Sequence, residues 1–173
     1  MTRASRWIRA GGILASGDCR VSHASLALGD QARQPEVIES LWRVTRTPWE
    51  NYRGQELVVW RHRWLSTGDR KEIVNAALGE IDQAYGGLKL LLFGLDTLCG
   101  TSWFTRRLGI SHLKVCSNLI AWSYDRGVPF LGPWFGQPWR SVSPDTIDDW
   151  CRCHTEDWIE VYSSINGHAR KAA

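Results

Sequence analysis

Cys116 is the residue of this chain best placed to do chemistry. It stands with Ser117 at the start of an amphipathic stretch that reads as a helix. A helix N-terminus leaves backbone N–H groups without partners and presents the positive end of the dipole. Both favour the thiolate, the form of cysteine that attacks carbonyl carbon. The ordinary alternative for a lone cysteine is a small buried core residue. A thiol nucleophile needs a base. His23 sits among Ser22, Ala24 and Ser25, neighbours small enough to leave room for a partner side chain. The competing reading is a structural histidine. Glu39 closes Val37-Ile38-Glu39 and could orient the imidazole through its second nitrogen. A solvated charge at a strand edge is the other reading of Glu39, and Glu36 is a weaker substitute. His112, upstream of Cys116, is an alternative base.

Other groupings carry less. Cys151-Arg152-Cys153-His154 brings together three metal-ligand side chains, but structural zinc sites take four ligands and space paired cysteines more widely. No metal and no cofactor is expected. The chain has no Gly-x-Ser-x-Gly elbow and no phosphate-binding glycine loop. Its 5 cysteines, Cys19 and Cys99 among them, are irregularly spaced and imply no disulfide framework. Free thiols fit a reducing compartment.

The elements that must position these residues read as strands first and helices later. Strands are expected at residues 12–15, at 21–28 with His23 in the middle, at 37–39, at 42–47 before Pro48, and at 57–60. A helix follows, with Asp69 as N-cap and Glu72 completing a capping box. Ile73, Ala76, Ala77, Ile81 and Ala84 fall at helical spacing in it. Residues 88–98 are apolar enough for a second, buried helix. A third begins near Cys116 and runs to Gly127, expected as its C-cap. A loop rich in Gly, Pro and Trp spans 128–139 and is a candidate cover for a cleft. Ser143-Pro144-Asp145 opens a short helix, and 156–162 reads as a closing strand. This order gives an α+β fold, an antiparallel sheet packed on helices. The length of 173 residues suits one domain, with a core from about residue 11 to 163.

The net charge is only +3 and the arginines are scattered, so no nucleic-acid partner is expected. No apolar run reaches membrane-spanning length. Arg9 and paired glycines interrupt the N-terminal apolar stretch, which makes a poor signal peptide. Cytoplasmic synthesis is the default expectation, with delivery to the cell envelope without a cleaved signal as the alternative. The 11 tryptophans are too large for all to be fully buried, so several are expected to line a groove or interface.

Three segments together resemble permuted, papain-like NlpC/P60 proteins of the YiiX-like branch. "GGILASGDCRVSHASLALGD" followed by "EVIES" is similar to that family's "GDI" strand, its "SH" with small residues and a glycine turn, and an apolar pair ending in Glu. "VCSNLIAWSYDRG" resembles its nucleophile helix, and "SVSPDTIDD" its Pro-Asp segment. The likeness spans roughly residues 11 to 150. It departs at "GGIL", where the family favours "GDIL", and in the Trp-rich loop. The resemblance implies a circularly permuted papain-like fold and a cysteine hydrolase. In it Cys116 is nucleophile, His23 base and Glu39 the orienting third residue. Ser117 and Tyr85 would lie at the substrate and oxyanion region. It also implies a peptide or acyl substrate: an amide such as a peptidoglycan stem-peptide bond, or a lipid acyl group. A binding module that uses the Trp-rich loop is the non-enzymatic alternative.

Overall fold

Residues 21, 23–29, 34–40, 43–83 and 115–164 are described by a computed structural model. The β-branched run around Val37 and Ile38 forms β2 (Glu36–Ser40). It lies between β1 (Leu26–Ala27) and β3 (Val44–Pro48) in one antiparallel sheet, order β1-β2-β3. Leu26 pairs with Ile38, and Glu39 with Thr45. Only Leu26 and Ala27 of the strand expected over 21–28 are in the ladder. His23 precedes it, because there its side chain bonds to other side chains and the backbone has left the sheet. After Pro48 the chain makes a short 3-10 turn, Trp49–Tyr52, held by Trp49 N–H donating to the Pro35 carbonyl at 2.9 Å.

A second small sheet pairs β4 (Val58–His62) with β5 (Trp158–Ser163), antiparallel, with an irregularity between Val59 and Trp60. Three helices complete the described residues: α1 (Thr67–Leu78), α2 (Cys116–Gly127) and α3 (Pro144–Cys153). The architecture is mixed α+β, three helices with small antiparallel sheets, rather than one continuous sheet.

The helix boundaries follow from their caps. Ser66 caps α1: its hydroxyl accepts from Asp69 N–H at 3.1 Å, and the Asp69 carboxylate accepts from Ser66 N–H at 2.9 Å. Asp69 is therefore the far half of the box and not the cap itself, and it sits in the first turn, where the dipole favours its charge. α1 stops at Leu78, so Ile81 lies in the turn beyond, half-buried against the same core. Ser143 caps α3 with Thr146 in the reciprocal role and Pro144 at the first helical position.

α1 and α2 pack together between two apolar clusters. Val74, Ala77 and Leu119 face Leu28, Ile38 and Val44 of the β1-β2-β3 sheet. Ile73 and Ile120 face Leu65, Trp134, Phe135, Val142, Cys151 and Trp158. Each fully buried aliphatic here contributes about 1.5–3 kcal/mol. Gly127 is the last residue of α2, and Val128 is the C-cap. A Cβ on Gly127 would lie 2.6 Å from the Ile73 backbone nitrogen, so close helix–helix approach requires glycine there, not a left-handed cap.

The Trp-rich loop divides. Trp134 and Phe135 are core residues, and Trp134 Nε1–H donates to the Val128 carbonyl at 3.1 Å. Phe130 and Leu131 are exposed at 94% and 59%. Gly136 has φ +69°, and a Cβ there would meet the Trp150 ring at 2.2 Å. Of the described tryptophans, Trp134 and Trp158 are buried in the core, while Trp64 is exposed and the others are half-buried. His62 packs edge-on against Trp134 and Trp158, ring centres 5.2 and 5.0 Å away.

Candidate active site

Glu39 is a carboxylate in the middle of a buried strand and only 3% exposed. A charge in that position must be fully engaged, because desolvation penalises it heavily. Three side chains meet around it. His23 Nε2 lies 2.8 Å from Glu39 Oε2. A carboxylate can only accept, so Nε2 carries the hydrogen. The Tyr52 hydroxyl donates to the same oxygen. Thr47 also hydrogen-bonds the carboxylate. Thr47 is opposite Val37 and so lies diagonally across the β2–β3 ladder from Glu39, on the same face. Burial would raise the Glu39 pKa, but the bonds from His23, Thr47 and Tyr52 hold it below its ordinary value.

With Nε2 on Glu39, Nδ1 is the ring nitrogen left for a second partner, and that partner is Cys116. The imidazole and the thiol are in hydrogen-bonding contact. Cys116 is the first residue of α2 and 4% exposed. Burial works against its ionisation, but His23 and the backbone N–H groups of Ala24 and Ser117 outweigh burial and bring the thiol below its ordinary value. For His23, burial pulls the pKa down. The bond to Cys116, then that to Glu39, override it and push His23 up to about 9. Both shifts run in the direction that favours thiolate and imidazolium.

Four further hydrogen bonds hold the His23 segment and α2 in place. Val21 N–H donates to Asp145 Oδ1 at 2.8 Å, pinning the His-bearing segment to the first turn of α3. The Ser117 hydroxyl donates to the Val142 carbonyl at 2.7 Å, and Asn118 Nδ2 donates to the same carbonyl and to that of Trp139, both at 2.9 Å. Ser117 therefore uses its hydroxyl to anchor the 139–142 turn and offers the site its backbone N–H. Glu36 points elsewhere, 3.9 Å from Arg46.

Of the residues singled out in the sequence, Cys116, His23 and Glu39 are brought into one connected cluster. Tyr85, His112, Cys19 and Cys99 lie outside the described residues, as do the expected strand at 12–15 and helix at 88–98. Cys151 is buried in the core and Cys153 is exposed, while His154 stacks on Trp150 at 3.8 Å. Among the described residues no group of His, Cys, Asp and Glu is arranged to hold a metal, and no helix is long and apolar enough to cross a membrane. Sequence reasoning missed Tyr52 and Thr47. Thr47 had a signal in the two-residue alternation of β3 once its register with β2 is known. Tyr52 had none, since it sits in a 3-10 turn without periodicity. No family model, no curated protein and no solved structure matches this chain.

Proposed function

We propose that the chain is a cysteine hydrolase that works through an acyl-enzyme, on a circularly permuted papain-like fold of the NlpC/P60 kind. The observation that carries this reading is the single hydrogen-bonded line from Cys116 through His23 to the buried Glu39. The order of the chain, His before Glu before Cys, is that of the permuted layout.

In the reaction, Cys116 thiolate attacks the carbonyl carbon of an amide, forming a C–S bond. The negative charge moves to the carbonyl oxygen. The backbone N–H of Cys116, free at the helix N-terminus, would donate to that oxygen. His23 gives its proton to the amine nitrogen as the C–N bond breaks, leaving a thioester on Cys116 and a neutral imidazole. Water then attacks the thioester and passes a proton to His23. The C–S bond breaks, the acid departs, and thiolate and imidazolium return. Glu39 keeps the ring in one orientation and one tautomer throughout.

The substrate proposed is a peptide amide, peptidoglycan stem peptides included. The other arm of the superfamily would take a lipid ester by the same steps. Incubating the purified protein with muropeptides and, separately, with a lipid ester panel distinguishes them. New stem-peptide termini together with a mass adduct on Cys116 support the first. Free fatty acid with an acyl adduct supports the second. Turnover that survives Cys116→Ala would overturn the mechanism.

A further inference from the structure

We propose that Tyr52 is a positioning residue of this site, acting through Glu39: its hydroxyl occupies the carboxylate oxygen that also receives His23 Nε2–H, and so holds that carboxylate, and the ring it aims, in line with Cys116. The inference rests on the reading of Cys116 as nucleophile.

Glu39 Oε2 accepts from two donors, His23 Nε2 at 2.8 Å and the Tyr52 hydroxyl. A carboxylate oxygen has two lone-pair sites, so this atom is saturated. Thr47 engages the carboxylate as well. A carboxylate held by several donors cannot turn, and the ring bonded to it keeps one orientation towards Cys116. Stripped of Tyr52, the carboxylate would lose one of the bonds that hold it, the ring it aims would shift, and the thiolate would lose part of its contact with the imidazolium. Tyr52 suits this task because it cannot ionise in its place. Burial and the adjacent Glu39 push its phenol far above the ordinary range, so it only donates. Ser25 bonds to Tyr52 in turn. Its backbone is fixed too, because the Trp49–Tyr52 turn hangs from the Pro35 carbonyl at the entry to β2. The titratable groups around Glu39 among the described residues are His23, Tyr52 and, across His23, Cys116.

The experiment needs no identified substrate. Iodoacetamide alkylation of Cys116 is followed from about pH 4 to about pH 10 by peptide mass mapping, which separates it from the other thiols. Wild type, Tyr52→Phe, Glu39→Gln and the double variant are compared, with Thr47→Val as a second, equally isosteric removal of a donor. In wild type the rate rises along a limb well below that of a model thiol. In Tyr52→Phe that limb moves to higher pH by about half a unit or more, and in Thr47→Val in the same direction. In the Glu39→Gln background, Tyr52→Phe changes the profile by less than about twofold, since the carboxylate it acts through is gone. An unshifted limb in both Tyr52→Phe and Thr47→Val overturns the inference and leaves the hydrolase reading standing. An equal shift in both Glu39 backgrounds overturns it too, marking Tyr52 as merely structural. A wild-type limb at the position of a free thiol removes the nucleophile and the inference together.

Discussion

Glu39 holds three donors at once, and each of its neighbours is poised by it. Glu39→Gln keeps the shape of the side chain but removes the charge that keeps His23 protonated. Turnover is expected to fall by about 10²-fold with the unfolding temperature little changed, measured as kcat beside a thermal melt. A parallel loss of both would assign Glu39 to folding alone. His23→Ala leaves Cys116 with burial as its largest influence, opposed only by the Ala24 and Ser117 N–H groups. Its thiol is then expected to titrate at or above the ordinary range of about 8.5. Alkylation rates against pH read this directly, and a limb still well below 8.5 would move the activation from His23 to the helix N-terminus. Cys116 and Glu39 could be placed from the sequence because a helix start and an apolar strand are recognisable segments, whereas His23 was singled out by its residue type and small neighbours and lies outside the paired part of its expected strand. Tyr52 could not, because a phenol in an aperiodic turn is placed by tertiary contacts alone.

Strand and helix signals carried further than boundaries did. The cores of β2 and β4 and the start of α3 matched their apolar alternation and caps. The strand around His23 did not, since alternation cannot tell a paired strand from an extended segment whose side chains find other partners. Asp69 was expected as the cap of α1, and the bonding pattern gives that role to Ser66, with Asp69 as its partner in the box. Gly127 looked like a helix stop and is a contact point. Gly127→Ala is expected to destabilise by about 1–3 kcal/mol, because its Cβ would press on the Ile73 backbone, which cannot rotate away. Gly136→Ala meets both a left-handed φ and the Trp150 ring and is expected to cost at least as much. Urea denaturation of the two variants checks this. A Gly127→Ala midpoint equal to wild type would mean α1 and α2 can part without loss.

Protonation links the site to the stability of the entire fold. His23 is raised to about 9 from 6.5, so its contribution is complete below about 6.5 and is lost as pH rises through about 9. Cys116 is lowered from 9.0, so its contribution is complete above that value and is lost as pH falls. Between about 6.5 and 9 the two changes run against each other as pH rises, the His23 contribution being lost and the Cys116 contribution gained. Stability is therefore expected to vary less across that window than on either side of it. It falls on the acid side, where the lowered Cys116 and Glu39 and the buried, lowered His62 all act together. It falls on the alkaline side, where His23 loses its proton and the buried Cys151, pushed up, resists ionising. Denaturant midpoints at half-unit pH steps test this. A slope through the window as steep as on either side would mean that the folded pair holds two protons or none there.

The fold also has an order of completion. Among the described residues β4 finds its partner only in β5, and Leu57 N–H reaches Ser164 across 107 residues of chain. The Asp145 carboxylate that pins Val21 comes 124 residues after it. A polypeptide emerging from the ribosome thus exposes His23, Glu39 and Tyr52 first, then Cys116, and closes the structure around them only when α3 and β5 have followed. At about 5–20 residues per second, β4 waits several seconds with an open edge. The lowering of the Cys116 thiol, which needs His23 and the N–H groups of Ala24 and Ser117 around it, therefore belongs to the folded chain and not to the emerging one.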